Sequence, residues 1–144
     1  MESIVFPTST ADPADLWLKD SYVVAEDAGL VALVPEFVRV PGSVIIVPRS
    51  NARCVMELTE TEMGALARLI PAMARRIEAA FDPDGLNVWW ATGQLAGQLE
   101  PRALAELVPR YKDAAYQYTD STALPRADAA SRSRILEALS VTAG

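Results

Sequence analysis

Ala96-Gly97-Gln98-Leu99-Glu100-Pro101-Arg102-Ala103-Leu104-Ala105-Glu106-Leu107-Val108-Pro109-Arg110 is the stretch on which the fold turns. Its opening Ala96-Gly97, together with Thr92-Gly93 just before it, reads as a loop rich in small residues. Pro101 to Glu106 consists of good helix formers, so local propensity alone predicts a short helix starting at Pro101. Strand preference, however, depends on tertiary context more than on the backbone, and it can override such a prediction.

Upstream, the pattern is clearer. Leu86 to Ala91 reads as a strand, preceded by a turn at Asp82-Pro83-Asp84-Gly85. Before that turn lies the most evident helix. Thr59 and Glu62 form a Thr-x-x-Glu capping box, and Met63, Leu66, Ile70, Met73, Ile77 and Phe81 recur at helical spacing as a core stripe. Pro71 inside this pattern predicts a kink or a split into two helices. Ser43 to Val47 is an apolar, β-branched run ended by Pro48 and introduced by a Pro41-Gly42 turn, which suits a buried strand. Tyr22 to Ala25 and Leu30 to Val34, joined at Asp27-Ala28-Gly29, form a hairpin candidate. The first 20 or so residues read as a loop holding a short helix near Asp12-Pro13, with Leu16, Trp17 and Leu18 to bury. Beyond Arg110 the chain is polar and aromatic, with Tyr111, Tyr116 and Tyr118. It breaks at Leu124-Pro125 and ends in a helix capped by Asp128, with Ile135, Leu136 and Leu139 on one side.

With 144 residues, 51% of them hydrophobic, the chain has the size and composition of a single domain, residues 1–144, with a substantial core. A net charge of −6 argues against nucleic acid as the main partner. The one cysteine, Cys54, precludes an intrachain disulfide and reads as a buried structural residue. No histidine occurs anywhere, which removes Cys-His and Ser-His nucleophile pairs and imidazole metal ligands. Apolar runs such as Val44-Ile45-Ile46-Val47 are too short to span a bilayer, and the first residues lack the basic and apolar segments of a secretory signal. A cytoplasmic location, no membrane partner, no metal and no cofactor are the resulting expectations.

The frame Ala-Gly-Gln … Pro-Arg resembles the signature of the histidine triad (HIT) proteins, in which Ala-Gly-Gln leads into His-x-His-x-His and closes on Pro-Arg. Here Arg102, Leu104 and Glu106 occupy the three histidine positions. Val40-Pro41-Gly42-Ser43-Val44-Ile45-Ile46-Val47-Pro48-Arg49 is similar to the family's Pro-Gly-His strand, with Ser43 replacing the histidine, and Leu58 to Glu62 matches its Leu-Thr-x-x-Glu helix start. The resemblance covers about residues 22–110, nearest the dinucleoside-polyphosphate hydrolase branch, and leaves 111–144 as a C-terminal extension. It implies an α+β fold: about five antiparallel strands with a long helix packed on one face, plus the C-terminal helix. It also implies a homodimer with joined sheets, a strand rather than a helix at Pro101–Glu106, and nucleotide phosphates bound near the triad with Gln98 beside them.

On that strand, Glu100, Arg102, Leu104, Glu106 and Val108 share one face, and Ala103, Ala105 and Leu107 turn inward under the helix. Leu104 matches the family's nucleophile, and an aliphatic side chain can neither attack phosphorus nor protonate a leaving oxygen. Nucleotidyl-histidine chemistry is therefore excluded by that route. Residues two apart on a strand are separated by roughly 6.6 Å, so Arg102 can reach Glu100. Glu100, Arg102 and Glu106 are the candidate catalytic groups, and Gln98, Trp89, Trp90, Leu104 and Arg110 the candidate ligand contacts. Of the two tryptophans, one should face the core and the other the pocket. Two functions compete. One is a binding or scaffold protein that holds a small molecule in the former nucleotide pocket. The other is a repurposed enzyme that uses Glu100 or Glu106 as acid or base, with Arg102 as anchor, for isomerisation, cyclisation or elimination. Solvated charges on an emptied face are the bland alternative to both.

Overall fold

The computed structural model describes residues 4–6, 22–36, 40–98, 100–112 and 129–140. The helix expected near Asp12-Pro13, the cap at Asp128, and Tyr116 and Tyr118 lie outside them.

The chain forms β1 (Val23–Asp27), β2 (Leu30–Leu33), β3 (Val44–Pro48), α1 (Glu60–Phe81), β4 (Gly85–Trp89), β5 (Ala105–Arg110) and α2 (Ala129–Ser140). One five-stranded sheet has the order β1-β2-β3-β5-β4, and every neighbouring pair is antiparallel. The α+β architecture expected from the sequence is the one observed. β1 and β2 meet in a two-residue hairpin at Ala28-Gly29, with φ of 43° and 84°. Positive φ at both positions is what a type I′ turn requires, and it matches the right-handed twist of the flanking strands.

Strand alternation sorts the side chains into two apolar clusters. Leu30, Ala32, Val34, Val44, Ile46, Ala105 and Leu107 lie on the face covered by α1, together with Ala65, Leu66, Leu69, Met73 and Ile77 from the helix. Val31, Leu33, Ile45 and Val47 lie on the opposite face. Leu139 of α2 is fully buried against the first cluster, with Ile135 and Leu136 partly buried beside it. Two positions differ from the expected helix stripe. Met63 is 38% exposed, whereas Leu69, which was not part of that stripe, is in the core. Burial follows the sheet's outline, not the hydrophobicity of the helix alone.

Pro71 neither splits nor ends α1, which runs unbroken through it. Pro71 and Ala67, whose carbonyl lacks the hydrogen bond that the proline cannot donate, are both on the exposed face. Water can serve that carbonyl, so the break is tolerated. Pro109 inside β5 has a related explanation. The β3 ladder stops at Val44–Leu107, so only β4 pairs with the proline's stretch of strand.

The capping box forms as the sequence predicts. Thr59 Oγ1 accepts from the Glu62 amide at 3.1 Å, and Glu62 Oε1 accepts from the Thr59 amide at 3.0 Å. Glu62 Oε2 also accepts from the Ser50 hydroxyl at 2.7 Å. These bonds, Ser50 foremost, hold the Glu62 carboxyl below the usual glutamate range. A depressed folded-state pKa contributes stability above the unfolded value of about 4.3, and that stability is lost as pH falls through the lower folded value. Glutamine can still occupy the third helical position of a capping box. Glu62→Gln should therefore flatten the acid limb of the stability–pH curve below about pH 4.3 and leave most of the neutral-pH stability. Urea melts across the pH range would check this, and an acid limb identical to the parent's would contradict it.

Candidate functional site

The strand expected from Pro101 begins only at Ala105. Pro101 and Arg102 form a bend, and Ala103 and Leu104 have no ladder pairing, so the stretch is neither the helix of local propensity nor strand throughout. Two features hold it. The Ala103 amide donates to the Ala52 carbonyl at 2.9 Å, and Gln98 gathers the loop around its side chain.

The Gln98 amide is 7% exposed. Its Oε1 accepts from the Gly93 amide at 2.8 Å. Its Nε2 faces three carbonyls, those of Arg53 at 2.5 Å, Glu100 at 2.8 Å and Arg102 at 3.3 Å. An amide nitrogen carries two hydrogens, so one is shared between acceptors. The group that the resemblance sets beside a phosphate is thus surrounded by backbone in this structure. The small-residue loop hinted at such a brace. Its link to Arg53, 45 residues away, left no mark in the sequence.

The predicted alternation is present on β5. Ala105 and Leu107 join the helix-side cluster, while Leu104 packs against Val31, Leu33, Ile45 and Val47 on the other face. The position matching the nucleophile thus sits on an aliphatic floor. Glu106 lies between Ile45 and Trp89 in register and is only 8% exposed, so it is not the solvated charge of the bland alternative. Its Oε2 accepts from Trp89 Nε1 at 3.2 Å. The Arg110 guanidinium lies 5.5 Å from the centre of the Trp89 ring, and its Nε donates to Asn87 Oδ1 at 2.6 Å. Trp89, Glu106 and Arg110 therefore form one linked group. Trp90 is not in the core: it stands 43% exposed.

Arg102 and Glu100 do not pair as expected from their spacing. The Arg102 guanidinium, 4% exposed, donates to the Pro48 carbonyl. Glu100 is half-buried, and its Oε2 meets no donor among the described residues. The bend at Pro101-Arg102 is the physical reason, since the 6.6 Å spacing applies only to extended strand. Ser43, in place of the outer histidine, donates its hydroxyl to the Val40 carbonyl at 2.8 Å and closes its own turn. A small apolar cavity of about 10 Å³, lined by Val55, Leu58, Leu66, Ala103 and Leu104 among others, has room for about one water and contains none of the glutamates. Among the described residues no three Cys, Asp or Glu side chains are grouped as a metal ion would need, and no helix is long and apolar enough to cross a membrane.

The sequence profile of the HIT domain matches residues 18–102, ending at the first of the three positions where histidine is replaced. An uncharacterized HIT-like protein of Mycoplasma genitalium is 25% identical over 92 residues, 64% of this chain and 65% of its own length. Protein hit of Bacillus subtilis is 28% identical over 88 residues, 61% of each. The chain thus spans just under two thirds of these relatives' lengths. A Hit-like protein involved in cell-cycle regulation from Bartonella henselae shares the fold with a TM-score of 0.73 at 16% identity, covering 84% of this chain and 85% of the other.

Gln98→Glu tests the brace. A carboxylate would face three carbonyls without a hydrogen to donate, so we expect a loss of about 2–5 kcal/mol in urea unfolding. Unchanged stability would show that the amide does not hold the loop.

Proposed function

This chain belongs to the HIT domain family, and from that premise we propose that it binds a small molecule on the family's nucleotide-binding face without performing nucleotidyl-histidine chemistry. The observation that carries the proposal is Leu104. The aligned nucleophile position holds an aliphatic side chain on an aliphatic floor, in a chain with no histidine to replace it. A covalent nucleotidyl intermediate needs a lone pair at that point.

The character of the ligand follows from the side chains around Leu104. Val31, Leu33, Ile45 and Val47 form a closed aliphatic floor beneath Leu104, and the half-buried Trp89 ring offers a face for stacking. The resemblance sets phosphates near the stretch that carries Glu100 and Glu106, and two acidic side chains there would disfavour polyphosphates. Arg102 is turned to the Pro48 carbonyl, and Arg110 to Asn87 and the Trp89 ring, so both cations already have neighbours. The ligand is accordingly read as weakly polar or uncharged. A second reading, acid–base catalysis on such a ligand, is favoured by one feature: Glu106 is a largely buried carboxylate held by an indole N–H, the kind of setting in which proton transfer is useful.

A thermal-shift series with adenosine, AMP, ADP and ATP at about millimolar concentration reads the charge preference directly. Any stabilisation should fall with each added phosphate, and Glu106→Gln should lessen that fall. A shift that grows with phosphate number would overturn the ligand class. Under the enzymatic reading the same substitution abolishes turnover of the neutral substrate once it is identified, and full activity in Glu106→Gln would remove Glu106 from that role.

The proposal includes a homodimer formed through β4. That strand is at the sheet's edge, with β5 as its neighbour, and Val88 and Trp90 are 38% and 43% exposed there. Edge strands with exposed apolar side chains are templates for pairing. Light scattering should give twice the 15.5 kDa chain mass, and Val88→Lys with Trp90→Glu should return it to a single chain. A parent protein that is already monomeric would end this part of the proposal.

A further inference from the structure

We propose that Ile4–Phe6 is a strap that sets the conformation of the Gly93–Gln98 loop and, through the Gln98 amide, the placement of Glu100 and Arg102. Three independent contacts hold the strap. The Gln94 amide donates to the Val5 carbonyl at 2.8 Å. The Arg53 guanidinium stacks over the Phe6 ring at 4.6 Å from its centre. Ile4 lies so close over Gly93 that a Cβ there would come within 2.8 Å of Ile4 Cγ2.

Gly93 is suited to this crossing on two counts. Its φ of +90° is a conformation that side-chain-bearing residues rarely adopt, and the hydrogen in place of a side chain lets the strap approach. The same residue is the loop's hub. Its carbonyl accepts from the Ala96 and Gln98 amides, both at 3.1 Å, and its amide donates to Gln98 Oε1 at 2.8 Å. Arg53 contributes at both ends, since its side chain meets Phe6 and its carbonyl receives Gln98 Nε2. From Phe6 the contacts therefore run through Arg53 to Gln98, and from Ile4 through Gly93 to Gln98. Gln98 in turn holds the carbonyls of Glu100 and Arg102.

The strap is also removable in energetic terms. Ile4 and Val5 remain 58% and 63% exposed, and neither belongs to the apolar cluster on either face of the sheet. Weak contacts of this kind open locally, at a cost well below that of unfolding the domain. A ring stacked on a guanidinium is a weak contact, enough to bias a loop and too little to stabilise a core. Releasing the strap thus loosens Gly93–Gln98 and leaves β1–β5 in place. The functional consequence rests on the ligand-binding reading of the Glu100–Glu106 stretch, but the coupling itself is measured with no ligand, so the two can fail separately.

Hydrogen–deuterium exchange on the full chain tests the strap. In Ile4→Ala/Phe6→Ala, the Gln94 and Gln98 amides should exchange about tenfold faster, with the amides of β2, β3 and β5 unchanged. Phe6→Tyr, which keeps the ring over Arg53, should exchange like the parent. Unaltered exchange at Gln94 and Gln98 in the double variant would overturn the proposal. So would equal acceleration of loop and sheet, because it would mean that the segment stabilises the whole domain instead of setting one loop.

Discussion

Leu107 fixes the register of the sheet, and the site depends on that register. It pairs with Val44 on one side and Val88 on the other, and it is completely buried beneath α1. A slip of one residue along β3 would exchange the faces of β5 and carry Glu106 under the helix. An uncompensated carboxylate among Leu66, Met73 and Ile77 would cost far more than the domain's margin of stability. The same constraint that buries Ala105 and Leu107 therefore presents Leu104, Glu106 and Arg110 together on the opposite face.

The features of the sequence that carried most structural information were those with a local physical cause. Thr59 and Glu62 satisfy orphan amides at a helix start whatever lies around them, and the capping box formed as read. Ala28-Gly29 likewise closes its own hairpin. Where the outcome depended on distant parts of the chain, the sequence was less informative. Pro71 does not split α1, since it and Ala67 face outward. Met63 belongs to the helix's apolar pattern but is left exposed. Pro101–Leu104 follows neither helix nor full strand, because Ala52 holds Ala103 from 51 residues away and the Gln98 side chain holds the Arg102 carbonyl from four. The expected Arg102–Glu100 pair failed for the same reason: the bend removes the spacing on which it relied.

The site was legible as a face and only partly as an arrangement. Alternation placed Leu104 and Glu106 correctly on the side away from α1. It also predicted that one of the adjacent tryptophans would enter the core and the other the pocket side; Trp89 joins Glu106 and Arg110, but Trp90 is 43% exposed and does not reach the core. What alternation does not encode is that the Glu106 carboxylate would be nearly buried, or that the Gln98 amide would be enclosed by backbone. Those features convert a row of polar residues into an apolar floor with an embedded carboxylate. No histidine stands on that floor, so histidine-based phosphoryl chemistry has no foothold there.

As proposed, the family frame persists here without its covalent chemistry. Intact-protein mass spectrometry after incubation with a dinucleoside polyphosphate addresses it most directly. Unchanged protein mass and no release of mononucleotide are expected. A protein mass increased by one nucleotidyl group, or steady release of mononucleotide by purified protein, would contradict it.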